Sequence, residues 1–440
     1  MRIIDTSESS EDVVRRALTH RDADDETHVE NFVKEALDAI RKSGDKALIA
    51  YERQLDWPEA TIEGLLVTEA EIQDATSRID KSLLDVLHRS AANIRAFHEA
   101  ERAQLGSWSS VVPPYPAVPD SQSAPHTLGQ IIQPVERAGV YVPGGKALYP
   151  STVLMAAIPA SVAGVGDIII STPPDKTGNI DARILAAAHV AGVSTIYKLG
   201  GAPAIAAMAY GTASIPRVDV IVGPGNAYVN VAKRLVYGSV GIDMLAGPSE
   251  IAIIADGEAD PALIAADLLA QTEHGPGNRG VLFTSSKSVL ENTVAELEKQ
   301  RAKLSRQEIL NVTSENLLLI KTRSQEESVT FSNILAPEHL ELHLTHAEAA
   351  LPGIRNAGAV LVGPWASAPI GDYYAGPSHT LPTAGTARFS SPLSVNTFLK
   401  RTSIVRYSKA QAIAAAGDVA LFAESEGFDA HAEAARRRAK

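Results

Sequence analysis

Gln271 and His274 are the first residues whose types and spacing suit chemistry, at the end of a predicted helix over 261–271. Residues three apart share a helix face, so both side chains could contact one metal ion. The chain contains no cysteine. Any metal site must therefore use nitrogen and oxygen donors, which suit zinc or a similar divalent ion. The alternative is that His274 only caps the negative end of the helix.

Glu338 and His339 are adjacent and follow Pro337, where a turn or the start of a strand is favoured. A carboxylic acid and an imidazole differ in intrinsic pKa, and a reaction with several proton transfers uses such a pair. An exposed pair at the start of an amphipathic strand over 340–344 explains the same residues equally well.

Two further acid and histidine pairs occur near the C-terminus of the chain. Asp372 and His379 lie in a segment rich in glycine and proline, which is typical either of a functional loop or of ordinary turn capping by Asp372. Glu426 and His431 are five apart, where a surface position is usual. The spacing alone does not establish that Gln271 and its possible partners meet.

Three glycine-containing turns, at 144–145, 200–201 and 223–225, each separate a predicted strand from a predicted helix. Backbone N–H groups at such a helix start bind anions, including the phosphates of a dinucleotide. Residues 223–225 match only the first two glycines of the dinucleotide-binding pattern. A tight strand-to-helix turn is the alternative for all three.

The elements that must position these side chains alternate between short β-branched runs and alanine-rich helices. We predict a first cycle of strands and helices and then a second, hence two tandem α/β units. The predicted strands are 139–142, 167–171, 195–198, 219–222, 250–254, 280–284, 317–320 and 360–362, and the predicted helices are 151–163, 180–191, 203–212, 226–237, 261–271 and 288–304.

The two ends of the chain are predicted to be helical. In the N-terminal part, Thr68 and Glu71 form a capping box before a long helix. A proline-rich stretch over 111–119 predicts the first domain boundary. The predicted domains are an N-terminal helical arm over 1–110, α/β domains over 126–249 and 250–385, the second possibly packed with part of the N-terminal region, and a helical segment over 391–440.

Composition excludes several classes of protein. The formal net charge of −12 has the wrong sign for a chain whose main partner is nucleic acid, and 45% hydrophobic against 21% charged residues indicates a folded protein. The most apolar region, 153–170, contains Pro159, Gly164 and Gly166, and the N-terminus lacks the apolar stretch of a signal peptide. We therefore expect a cytoplasmic protein with no membrane partner.

Six motifs in this order resemble the histidinol dehydrogenase family over nearly the whole chain. The motifs are Gly139-Val-Tyr-Val-Pro-Gly-Gly, Gly223-Pro-Gly-Asn, Ala246-Gly-Pro-Ser-Glu, Gln271-Thr-Glu-His-Gly-Pro, Ala336-Pro-Glu-His-Leu and Gly371-Asp-Tyr. The resemblance implies an α/β fold of two tandem incomplete Rossmann-like domains with helical N- and C-terminal extensions. It also implies zinc- and NAD-dependent oxidation of L-histidinol to L-histidine through a bound aldehyde, the last step of histidine biosynthesis.

The resemblance further implies roles for individual residues. Gln271, His274, Asp372 and His431 would hold one zinc ion per subunit of a homodimer, with His431 supplied by the partner through the segment 391–440. The acid–base pair would be Glu338 and His339. Substrate would also contact Ser249, His379 and Glu426, and NAD would contact Tyr141 and Asn226.

Two positions depart from the family pattern. Pro203 stands where the family has an NAD-contacting glutamine, and Ser378 where it usually has asparagine. They leave open a related zinc- and NAD-dependent dehydrogenase of another polar alcohol, such as a sulfonated diol. A metal- or ligand-binding protein without turnover is a third possibility, but it has no need of Glu338 and His339. Because there is no cysteine to form a thiohemiacetal, an aldehyde would have to be oxidised as its hydrate.

Overall fold

The computed structural model describes residues 1–19, 27–112, 126–144, 148–273, 275 and 277–439, and it divides into two compact units. The first unit comprises residues 1–99 and 135–398, and the second comprises residues 100–134 and 399–440. Its strands are β1 (Arg2–Asp5), β2 (Trp108–Val112), β3 (His126–Pro134), β4 (Arg137–Tyr141), β5 (Asp167–Thr172), β6 (Thr195–Lys198), β7 (Val220–Val222), β8 (Gly241–Ile242), β9 (Glu250–Ala255), β10 (Arg279–Thr284), β11 (Leu317–Lys321), β12 (His339–His343), β13 (Ala359–Val362) and β14 (Leu399–Arg406). Its helices are α1 (Glu11–Thr19), α2 (Thr27–Ser43), α3 (Asp45–Leu55), α4 (Glu69–Arg78), α5 (Lys81–Ala103), α6 (Pro150–Ala163), α7 (Ala182–Ala191), α8 (Gly201–Tyr210), α9 (Ala227–Val236), α10 (Pro261–Thr272), α11 (Lys287–Arg301), α12 (Gln307–Thr313), α13 (Gln325–Leu335), α14 (Ala368–Ile370), α15 (Lys409–Ser425) and α16 (Asp429–Arg438).

The first sheet of the first unit has five parallel strands in the order β6-β5-β4-β7-β8. The chain starts in the middle at β4, moves to one edge and then returns to the other side. This is the strand order of one Rossmann half, with a switch point between β4 and β7. Helix α2 packs against α8 and α9, and α3 packs against α8, so N-terminal helices cover this part of the unit.

The second sheet has six parallel strands in the order β1-β11-β10-β9-β12-β13. It repeats the order of the first sheet and adds β1 at one edge. Side chains of β9 alternate between two cores, with Ile251 and Ile253 on one face and Ala252 and Ile254 on the other. Strands buried on both faces are read as continuous apolar runs, and β9 has that composition.

Strand β12 has a different composition, although it is as deeply buried. Leu340 and Leu342 pack into the core on one face of the sheet. The alternating residues His339, Glu341 and His343 point to the opposite face, and all three are buried. Polar groups buried in this way must find partners within the protein.

The second unit contains a three-stranded antiparallel sheet in the order β14-β3-β2 and the helices α15 and α16, which pack against each other. Ser408 and Gln411 form a capping box that begins α15. The segment 100–134 thus contributes mainly strands to this unit, and the segment 399–440 contributes one strand and two helices.

The predicted fold class is confirmed, because both sheets are parallel and have the strand order of incomplete Rossmann domains. The capping box of Thr68 and Glu71 is also present. The prediction of helix from residue 391 is wrong for β14. Most side chains of this strand are exposed, so its sequence does not show the alternation of apolar and polar residues that predicts a strand. Strand β1 was likewise not predicted, and residues 113–119 of the proline-rich stretch lie outside the described residues.

No helix in the described part of the chain combines the length and the apolar composition needed to cross a bilayer.

Gly223, directly after β7, is required by close backbone packing. Its φ is +112°, and a Cβ added there would lie 2.1 Å from the carbonyl oxygen of Tyr141. We expect Gly223→Ala to lower the free energy of unfolding by about 2 kcal/mol or more, measured by urea denaturation, because neither backbone can move without breaking the sheet. The matched control is Gly166→Ala, whose added Cβ meets nothing closer than 3.8 Å. Equal stability of the two variants would contradict this account.

Candidate active site

Glu338 and His339 are placed by the abrupt end of α13. Ala336, directly after the helix, has the left-handed φ of 50°, and Pro337 cannot continue a helix. The chain therefore turns into β12, and both side chains become buried, with 6% and 3% of their surface exposed. They form a buried pair and not the exposed pair that the sequence left open.

Glu338 is held by the segment that enters β9. Its Oε2 accepts a hydrogen bond of 3.1 Å from the backbone N–H of Glu250, and the hydroxyl of Ser249 also donates to it. Burial raises the pKa of Glu338 to about 7, while the neighbouring His339 and these hydrogen bonds oppose that rise. The side chain can therefore change protonation state near neutral pH.

His339 lies between two carboxylates. Its Nε2 is 3.1 Å from Oδ1 of Asp372, and its Nδ1 is 3.9 Å from Oε2 of Glu338. Burial lowers the pKa of His339, but the hydrogen bond with Asp372 and the nearby carboxylates raise it above the ordinary value. Nδ1 is buried without a hydrogen-bond partner among the described residues. In the neutral ring, Nε2–H donates to Asp372 and Nδ1 is the free base.

Asp372 lies in a π-helical turn over Gly371–Ala375, which follows α14 directly. His379 contacts the same turn, since its Nδ1–H donates to the carbonyl oxygen of Asp372 over 3.0 Å. Its other ring nitrogen lies 3.2 Å from the hydroxyl of Thr152 on α6. The glycine- and proline-rich loop thus brings Asp372 to His339, and His379 to the turn that carries Asp372.

Gln271 lies in the last turn of α10, and α10 packs against α14. Its side chain is 2% exposed, and the amide nitrogen has no hydrogen-bond partner in the described structure. His274 lies outside the described residues. Glu426 and His431 belong to the second unit, where both are exposed, and the ring of His431 lies 5.3 Å from that of Phe428.

The expected cofactor residues lie in the first sheet and its helices. The hydroxyl of Tyr141 is buried and accepts the N–H of Gly201 over 3.0 Å, and burial raises its pKa to about 12. Asn226 is exposed and caps α9 by accepting the N–H of Val229. Pro203 is buried in the first turn of α8.

Several backbone N–H groups of the glycine turns donate hydrogen bonds to other groups of the protein. Besides Gly201, the N–H of Gly200 donates to Glu52 and the N–H of Gly223 donates to Asp243 over 2.8 Å. These three groups therefore make tight turns and do not present free donors to an anion. Gly145 lies outside the described residues.

A second polar cluster, which the sequence analysis missed, consists of Asp267, Glu341 and His343, whose donor atoms lie within 4.8 Å of one another. The Nε2 of His343 is 3.1 Å from Oε2 of Glu341 and 3.7 Å from Oδ2 of Asp267. The signal in the sequence is the alternation of His339, Glu341 and His343 in one short strand, which resembles an exposed amphipathic strand.

The arrangement defines a class of enzyme. A parallel sheet with a dinucleotide switch point, together with a buried carboxylate and imidazole beside further nitrogen and oxygen donors, is typical of a dehydrogenase with acid–base catalysis. A model of the histidinol dehydrogenase family matches residues 19–439. The chain belongs to the histidinol dehydrogenase family and is an oxidoreductase.

Individual relatives agree with that family. The chain is similar to histidinol dehydrogenase from Geobacter sulfurreducens, with 43% identity over 442 residues that cover 100% of both chains. It is similar to histidinol dehydrogenase from Oceanobacillus iheyensis, with 46% identity over 411 residues and 93% of each chain. Its fold is similar to the crystal structure of histidinol dehydrogenase from Elizabethkingia anophelis, with a TM-score of 0.90, 34% identity, and coverage of 100% of this chain and 98% of that chain.

The raised pKa of Glu338 predicts a pH-dependent effect of Glu338→Gln on stability. Because the folded-state pKa of about 7 exceeds the ordinary 4.5, wild-type protein loses stability as the pH rises between these values. The glutamine cannot titrate, so the stability of the variant relative to wild type should increase by up to about 3 kcal/mol between pH 4.5 and 8. Urea unfolding of the metal-free proteins at several pH values measures this difference. If the difference in the free energy of unfolding between the two proteins is the same at every pH, the pKa of Glu338 is not raised in the folded protein.

Proposed function

We propose that this enzyme is an L-histidinol dehydrogenase, which oxidises L-histidinol to L-histidine through bound L-histidinaldehyde with two NAD. The observation that carries the proposal is the buried pair of Glu338 and His339 beside Asp372, in a chain that belongs to this family. The reaction is the last step of histidine biosynthesis, and we place it in the cytoplasm.

The side chains around the pair fit a zinc ion. Gln271 has a buried amide whose nitrogen has no partner among the described residues and whose oxygen is the atom that would coordinate zinc. Asp372 adds a carboxylate that already faces a buried imidazole. In our proposal Gln271, His274 and Asp372, with His431 of the partner subunit, hold one zinc per subunit of a homodimer. Bound there, zinc would hold the substrate by its nitrogen donors and so orient the carbinol carbon.

His339 is the base for the alcohol. Asp372 holds Nε2–H, so the unpartnered Nδ1 has the lone pair that takes the proton as hydride passes to NAD. The same nitrogen takes a proton again when the hydrated aldehyde loses the second hydride. Asp372 thereby orients the imidazole ring of His339, and its negative charge stabilises the protonated ring.

Glu338 activates the water that adds to the aldehyde. Its pKa of about 7 lets it accept a proton at neutral pH, and the N–H of Glu250 fixes the carboxylate. The water oxygen bonds to the aldehyde carbon while one water proton passes to Glu338. The aldehyde oxygen takes the proton that His339 gained in the first oxidation, which gives the hydrate and returns His339 to its neutral form. No cysteine is available for a covalent route.

The remaining contacts concern binding of substrate and cofactor. Ser249 and His379 lie in the network around Glu338 and Asp372, and we assign them, with Glu426, to the substrate. Asn226 and Tyr141 lie at the switch point of the first sheet, where dinucleotides bind in α/β folds.

A related enzyme for another polar alcohol remains the second candidate, because Pro203 offers no polar side chain where the family has glutamine. Ser378 supports that candidate less. Its buried hydroxyl donates to the carbonyl oxygen of Met155 over 3.2 Å and accepts the N–H of Thr380. The residue is thus occupied by backbone groups.

The stoichiometry of NADH tests the proposed reaction. With L-histidinol limiting and NAD in excess, we expect two NADH per histidinol, measured by absorbance, with loss of activity on chelation and recovery with zinc. One NADH per histidinol would contradict the role of Glu338. No NADH from zinc-loaded protein would favour the second candidate, which a panel of polar alcohols, including sulfonated diols, would then identify.

The roles of the buried pair predict different effects on the two half-reactions. His339→Asn should slow both by about 10²–10⁴-fold, because each needs proton removal. Glu338→Gln should mainly slow oxidation of supplied histidinaldehyde. Zinc content should stay unchanged in both variants, while the control His274→Asn should lose the metal. Equal small effects of both substitutions on both steps would disprove this division of labour.

A further inference from the structure

We propose that Glu341 is a positioning residue, which together with Asp267 and His343 fixes the three elements that carry Gln271, His339 and Asp372. This inference rests on the proposed function, since it concerns the same site. None of the three residues is assigned a contact with substrate, metal or cofactor. Their role would be to hold the elements that carry the metal ligands and the base His339, and so to affect the affinity for the metal and the position of that base.

The cluster connects α10 with β12 and contacts the start of α14. Asp267 lies one helical turn before Gln271 on α10, and Glu341 lies two residues after His339 on the same face of β12. The N–H of Ala368, which begins α14, donates to Oε1 of Glu341 over 2.7 Å. Helix α14 runs directly into the turn that contains Asp372. One carboxylate thus connects the three elements.

The contacts of Glu341 are made inside the protein, away from water. Glu341 is fully buried, and its other oxygen, Oε2, lies 3.1 Å from Nε2 of His343. The first N–H groups of a helix have no partner within the helix, so the carboxylate satisfies a donor that would otherwise be buried alone. A hydrogen bond to an ionised group in such a place is stronger than a neutral one. Loss of the hydrogen bond between Ala368 and Glu341 would make the start of α14 more mobile.

Asp267 and Glu341 bring two carboxyl groups close together. Burial raises the pKa of Asp267 well above its ordinary value, and the charge of Glu341 and a hydrogen bond with it act in the same direction. Two carboxylates this close are compatible when they share a proton or when a cation binds between them. The side chains of Asp267 and Glu341 are hydrogen-bonded to each other, and two carboxyl groups can form such a bond only when one of them carries a proton. We therefore infer a shared proton, so that the cluster is a structural contact between α10 and β12.

The test compares Glu341→Ala with Glu341→Gln, which keeps the volume and an oxygen for the N–H of Ala368. For Glu341→Ala we expect hydrogen exchange of the backbone over 366–373 to become at least tenfold faster. The zinc dissociation constant, from competition with a chelator, should rise about 10–100-fold. Glu341→Gln should restore most of both effects, and the exposed Glu348→Ala is the control that should change neither.

Two results would overturn the proposal. The first is a Glu341→Ala variant whose hydrogen-exchange rate over 366–373 and zinc affinity equal those of the wild-type protein. The second is a Glu341→Gln variant that has a native circular dichroism spectrum but the same fast exchange and weak zinc binding as Glu341→Ala. Failure of wild-type protein to form NADH from histidinol would instead refute the proposed function. The exchange of residues 366–373 would still decide the positioning role in that case.

Asp267→Asn separates a shared proton from a bound cation. An asparagine amide can donate to Glu341 as the shared proton does, so we expect wild-type zinc affinity and one metal per subunit by elemental analysis. A second metal equivalent in wild-type protein that disappears in Asp267→Asn would show that the cluster binds a cation and would overturn the positioning role.

Discussion

The burial of three polar side chains on β12 constrains how the neighbouring elements can pack. His339, Glu341 and His343 face a side of the second sheet that is otherwise filled by aliphatic residues. An ionised or polar group in such surroundings destabilises the fold by several kcal/mol unless a partner lies within hydrogen-bond distance. The partners come from α10, from the start of α14 and from the turn that contains Asp372. The packing that satisfies the strand is therefore the packing that assembles the site.

The site lies at an unusual edge of its sheet. In open α/β sheets, ligands usually bind beyond the carboxyl ends of the strands, and the first sheet places Tyr141 and Gly223 at that edge. The second sheet instead places Glu338 and Glu250 at the amino ends of β12 and β9. Helices that connect parallel strands run antiparallel to them, so α10 ends at this same edge, in the turn that carries Gln271. A helix C-terminus and several carboxylates make the amino edge electronegative, which favours a cation there.

The fold was largely predictable, because buried parallel strands are continuous apolar runs between turns. β6, for example, was predicted with the bounds it has. β12 shows the limit of that reasoning. The alternation His-Leu-Glu-Leu-His is the same whether the polar face meets water or the interior, and only the packing of α10 decides between them. The motifs singled out Glu338, His339 and Asp372 without showing that they meet, since that contact depends on the π-helical turn after α14. Asp267 offered no local signal, because its partners are distant in sequence.

The two departures from the family pattern differ in their consequences for the site. Ser378 is occupied by backbone groups at both its donor and its acceptor, so a serine is compatible with the local packing that surrounds it. Pro203 lies in the first turn of α8, where a backbone N–H has no partner within the helix in any case, so proline costs the helix nothing there. What it removes is a side chain that could donate to a cofactor. The N–H groups of Gly200 and Gly201 already donate to Glu52 and Tyr141, so neither is free to donate to a ligand at the start of α8. In the proposed function, cofactor binding at this edge would therefore depend more on the exposed start of α9, where Asn226 lies.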